Sequence, residues 1–209
     1  MPPAHPPIPA NVAEPSQEPT PSGRWADRLR AEFLAAAQDL DDVGEVGEMT
    51  FYPDRTWHGY TYLPVSAMSA EDNQLYGYIR FVAATDGRDQ SDFTAYADYT
   101  EETAERNPDW RLDLCDEVIA SWRGEDGAVA AMTLVWGRAL ITGGAVATAE
   151  LGEQTVDQCA LRDGCFTLLA PDEYAGGLLE VRLYSESGEE LARESLYDED
   201  ADGDSDDAE

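Results

Sequence analysis

Residues 110–136 read WRLDLCDEVIASWRGEDGAVAAMTLVW, and this stretch decides the fold. Two strand-like runs, 110–123 and 128–136, flank Gly124-Glu125-Asp126-Gly127, a glycine-bounded polar turn of the kind that joins antiparallel neighbours. The pattern predicts a β-hairpin.

Working outward from it, β-branched and aromatic residues alternating between turn signals predict strands at 48–53, 56–65, 75–84 and 91–99 on the N-terminal side. Pro53-Asp54 and Asp86-Gly87-Arg88 supply turns there, and a short helical turn at 101–107 is closed by Asn107-Pro108. On the C-terminal side, strands are predicted at 138–141, 145–150, 154–160, 165–169, 178–185 and 189–196, with Ser187-Gly188 turning the last pair. Many short strands at regular spacing point to a mainly β, antiparallel, sandwich-like body.

One segment departs from the period of two. Trp25, Leu29, Phe33, Ala36 and Leu40 recur at spacings of three or four, which predicts an amphipathic helix from Arg24 to Asp41 with Ser22 as its N-cap. Its opposite face carries Asp27, Arg30 and Asp41, so the apolar stripe is expected to pack on a sheet. Residues 1–22, rich in Pro, Ala and Ser, read as a disordered arm, and 198–209 as a disordered acidic tail. Between them the expected units are 23–136, helix plus β unit, and 137–197, a small β unit that also reads as continuous with the first. No internal repeat relates the two.

The charge is extreme. The chain of 209 residues carries 44 acids against 13 basic residues, a formal net charge of -31, and every basic residue is arginine. Two acids fall in the first 22 residues and eight in the last 12, which leaves 34 against 13 arginines, or -21, on the body. Acidity is therefore a property of the body as well as of its tail. Such a surface repels nucleic acid and anionic lipid and steers basic partners toward itself, an attraction that salt weakens. An acidic, lysine-free proteome adapted to salt would leave the same composition.

Cys115, Cys159 and Cys165 are too few, and odd in number, for a disulfide scaffold. Cys159 and Cys165 flank a turn at Arg162-Asp163-Gly164, so a local bridge between them fits an exported protein. Two cysteines with five residues between them lack the second ligand pair that zinc requires. No secretory signal and no run of 18 apolar residues is present, and the chain reads as soluble and cytoplasmic.

Two features could form a site. In the strand 56–65, His58, Tyr60 and Tyr62 are expected to point one way, and in the next strand Tyr76, Tyr78 and Arg80 do the same. Paired, they would form a tyrosine-rich face suited to recognition, unless the N-terminal helix lies over it. In the tail, Asp198, Asp200, Asp202, Asp206 and Glu209 match the spacing of a calcium loop, although no helix follows to hold the last ligand.

Catalytic signatures are weak. His58 is the single histidine of the body, no Gly-x-Ser-x-Gly is present, and phosphate-binding and dinucleotide motifs are lacking. With 44 acids, some carboxylate pair is inevitable and carries no information. The expected function is a non-enzymatic, cofactor-free binding module of the inhibitor, immunity or adaptor type that recognises a basic protein surface. It is expected to bind neither nucleic acid nor membrane, and homo- or hetero-oligomerisation fits the same features. Three other readings fit less closely: a structural or accessory subunit of a larger assembly, a DNA-mimic inhibitor, and an enzyme using His58 with carboxylates.

Overall fold

The computed structural model describes residues 14–15, 20–38, 40, 44–85, 88–123, 129–152, 154–172 and 177–197. Among these, one helix, α1 (Gly23–Ala37), accompanies thirteen strands. They are β1 (Glu14–Pro15), β2 (Val46–Phe51), β3 (Arg55–Trp57), β4 (Tyr60–Ser69), β5 (Gln74–Val82), β6 (Ser91–Thr100), β7 (Leu112–Arg123), β8 (Val129–Ala139), β9 (Gly144–Leu151), β10 (Gln154–Ala160), β11 (Cys165–Asp172), β12 (Leu179–Ser185) and β13 (Glu190–Ser195). All pairings between them are antiparallel.

Three sheets result. The first runs β1-β3-β4-β5-β6, with β2 also on β4; the second is β11-β8-β7; the third is β10-β9-β12-β13. Strand alternation explains how they stack. Along β8, Met132, Leu134 and Trp136 share a cluster with Tyr62 of the first sheet, while Val135 joins Ala147, Val181 and Leu183 of the third. In β11, Leu169 faces the first sheet and Phe166, Leu168 and Ala170 the third. The sheet β11-β8-β7 is thus a central layer buried on both faces, which is why its sequence from Cys165 to Ala170 holds a single polar residue, Thr167.

The helix completes a four-layer order of helix, first sheet, central sheet, third sheet. Its Leu29 and Phe33, both fully buried, pack on Leu63, Val65, Leu75 and Ile79, the face of the first sheet turned away from the central layer. Full burial of a side chain of this size stabilises by about 1.5–3 kcal/mol. Arg30 reaches back from the helix to the carbonyls of Val46 and Gly47.

Most predicted strands are present within a few residues, and the mainly β class holds. The hairpin at 110–136 is β7–β8, closed by the Arg123–Val129 pair, with its turn outside the described residues. Asp163 and Gly164, with φ of +51° and +80°, make the expected tight turn, which passes the chain from the third sheet to the central one. Residues 137–139 continue β8 and form no separate strand, so position 136 falls inside an element.

Three expectations need correction. The helix stops at Ala37, with Gln38 as its C-cap and Leu40 in a bend, and the expected end at Asp41 lies outside the described residues. The strand expected at 56–65 is interrupted: His58 (φ +50°) and Gly59 (φ +81°) form a two-residue hairpin loop between β3 and β4. Within the arm read as disordered, Glu14 and Pro15 pair with Thr56 and Arg55, and the rest of residues 1–19 and the tail 198–209 lie outside the described residues.

Among the described residues, no helix is long and apolar enough to cross a membrane.

Candidate functional site

Register in the first sheet builds the tyrosine face. Tyr62 pairs with Arg80, Pro64 with Tyr78 and Ser66 with Tyr76; β6 then sets Thr94 beside Arg80, Tyr96 beside Tyr78 and Asp98 beside Tyr76. Tyr62, Tyr78 and Tyr96 form a ladder across three strands, with ring centroids 5.8 Å apart at each step. The Arg80 guanidinium sits 4.6 Å over the Tyr60 ring and donates to Thr94 Oγ1 at 3.1 Å. Tyr60, Tyr62, Tyr76, Tyr78 and Arg80 therefore share one face, as the alternation predicts.

Two parts of that expectation do not hold. His58 leaves the face, because the positive-φ turn carries it to the exposed loop, where its ring stacks on Trp57 at 4.0 Å. The face is also not an open patch: Tyr62 is buried against Leu134, Trp136 and Leu169 of the central sheet, and Tyr60, Tyr76 and Tyr78 are half-buried around it. The helix lies on the opposite side, so the central sheet, not the helix, covers most of the tyrosines.

The covering is incomplete at one edge. β7, the edge of the central sheet, packs over β5, and β11 over β3, so β6 projects past β7 as a ledge. Asp113, Cys115 and Glu117 of β7 look toward this ledge: Cys115 accepts from Gln74 Nε2 at 3.8 Å, and Glu117 hydrogen-bonds with Tyr96. Where ledge and wall meet, a cleft of about 220 Å³ is lined by Gln74, Tyr76, Glu102, Trp110, Asp113 and Asp116.

Carboxylates dominate its electrostatics. Asp113 is buried, and burial raises its carboxyl above the ordinary value, with Arg138 at 3.5 Å and Gln74 pulling it back. Tyr76 is pushed up to about 12, first by burial and then by Asp98. Tyr96 is raised by burial and then by Glu117 and Asp98. Cys115 is raised by burial and then by Asp113 and Asp116, which keeps it a neutral thiol in a packing role. Tyr76, Tyr96, Asp113 and Cys115 are thus each held against becoming more negative.

No family model matches this chain, and no curated protein or solved structure does.

Among the described residues, no group of three or more His, Cys, Asp or Glu is arranged to hold a metal ion, and the calcium-spaced tail residues lie outside them. All three cysteines are free, so Cys159 and Cys165 are not bridged. Gln74, Tyr96, Asp98, Glu102, Trp110, Asp113, Asp116 and Glu117 are the members of the site that sequence reading missed. Tyr96 and Asp98 had a signal, since the alternation of 91–99 places them on one face, but only the register shows that face to continue the tyrosine ladder. The other acids had none, because each is one of 44.

Proposed function

We propose that this chain is a non-enzymatic binding module whose acidic body recognises a basic surface of a partner protein. The observation that carries the reading is how the charges are used. Arg28, Arg55, Arg138, Arg182 and Arg193 are committed to carboxylates of the chain itself, and Arg30 and Arg106 to its carbonyls. Most of the acids outside these pairs are exposed, Glu150 and Asp172 being buried exceptions. Seven of the thirteen arginines are thus used within the protein, and the larger number of exposed acids is left for something outside it. A cytoplasmic location fits three free cysteines.

The test is the association rate of the full chain with a set of folded basic and acidic proteins of similar size. It is measured by stopped flow from about 0.01 to about 1 M salt, over which the screening length contracts from about 30 to about 3 Å. The reading predicts saturable binding of a basic member with a rate that falls steeply with salt. Binding of acidic and basic proteins alike, or rates indifferent to salt, would overturn it.

A further inference from the structure

We infer that the cleft at the β6–β7 step receives a guanidinium group, an arginine side chain borne on a segment of the basic partner. This deepens the partner reading above and rests on it. The cleft is small. Sites for drug-sized molecules run from about 300 to about 1,000 Å³, and this cleft is about 220 Å³. One inserted side chain suits it better than a free ligand.

Tyr76 and Trp110 supply aromatic surface, and Glu102 and Asp113 supply carboxylates, in the same cleft. Asp98 and Glu117 extend the negative wall along the ledge through their contacts with Tyr96. Asp113 is already offset by Arg138. Among the described residues, Asp98, Glu102 and Glu117 have no guanidinium within 4.0 Å. An aromatic surface walled by carboxylates that lack a cationic partner is the complement of a delocalised cation.

The first sheet already seats guanidinium over aromatic rings twice, Arg80 over Tyr60 at 4.6 Å on this same face and Arg28 over Phe93 at 3.8 Å beside the helix. A planar guanidinium can stack on Trp110 or Tyr76 and still donate in its plane to carboxylates, which a lysine ammonium cannot do.

Two peptides test the inference, one alternating arginine with glycine and one alternating lysine with glycine, titrated calorimetrically into the full chain at low salt. Two triple variants accompany them. Asp98→Asn, Glu102→Gln and Glu117→Gln neutralise the ledge and cleft; Glu186→Gln, Glu189→Gln and Glu194→Gln remove the same charge from the β12–β13 hairpin on the far sheet. Thermal melting confirms that both fold. The expected result is tighter binding of the arginine peptide, a loss of about tenfold or more in the cleft triple, and a change under about twofold in the distal one. Trp110→Leu should weaken the arginine peptide as well. Equal losses in the two triples would overturn the cleft while leaving the acidic-partner reading in place. Equal affinity for the lysine peptide would overturn the guanidinium assignment. No binding of the arginine peptide, with a folded basic protein still bound, would overturn the cleft alone.

Discussion

Arg55 Nη2 lies 3.2 Å from Asp157 Oδ2, and the same guanidinium donates to the carbonyls of Gln158 and Thr167 at 2.8 and 2.9 Å. Arg55 belongs to β3 of the first sheet, Asp157 to β10 of the third and Thr167 to β11 of the central one, so one buried cation fastens all three sheets. A bulge between Thr155 and Asp157 interrupts the β9–β10 register beside Asp157, whose carboxylate also caps the amides of Leu169 and Gln158 at 2.8 Å each.

Removing one partner of such a pair leaves the other charged and buried. Arg55→Ala should cost about 3–5 kcal/mol in urea unfolding, whereas the double replacement Arg55→Met with Asp157→Leu should recover much of that loss. A single-variant cost within about 0.5 kcal/mol, the range of ordinary surface changes, would mean the pair does not hold the sheets.

Acidification should stabilise the protein. Burial raises the carboxyls of Asp113 and Asp157 above the ordinary 3.8, so in the window above that value the folded state holds more protons than the unfolded one. Their contribution is then greatest on the acid side and is lost as pH rises through the raised values. Self-repulsion among surplus carboxylates acts in the same direction. The melting temperature should be higher at about pH 5 than at about pH 8, and Asp157→Asn should flatten the profile. A melting temperature that falls on acidification over this range contradicts the account.

The central layer should tolerate truncation least. Leu168→Ala, at a fully buried site, should cost about 2–5 kcal/mol. Val118→Ala, at a site on the same sheet that is 55% exposed, should change stability by no more than about 0.5 kcal/mol. Comparable costs at the two positions would deny that β8–β11 is sandwiched.

Thiol reactivity should sort by layer. Cys159 is half-buried in an edge strand of the third sheet, while burial raises both Cys115 and Cys165. One thiol, Cys159, should react with a disulfide reagent in the native protein, and all three only on unfolding. Rapid labelling of Cys115 in the folded chain would contradict the packing role given to it.

Strands and turns were legible because glycine and a period of two are local signals. Gly188 and Gly164 turn where their neighbours predict. Layer order was not legible in the same way. The run from Cys165 to Pro171 does carry the mark of a strand buried on both faces, since its apolar residues hardly alternate, yet nothing local says which two sheets cover it. The His58-Gly59 turn hid between Trp57 and Tyr60, whose aromatic character reads as continuous strand; only the glycine, able to adopt positive φ freely, marked the break. Tyr60, Tyr62, Tyr76, Tyr78 and Arg80 do share one face, without the His58 expected on it, but whether that face is open depends on where β7 lies relative to β6. That is a fact of tertiary packing.

The central claim, that the acidic ledge at β6 and β7 is where a basic partner docks, is tested most directly by amide hydrogen exchange of the full chain with and without the arginine–glycine peptide. The account predicts slower exchange confined to β6, to residues 100–111 and to the first half of β7, with β12 and β13 unchanged. Protection spread evenly over the acidic surface, or concentrated in the third sheet, would contradict it.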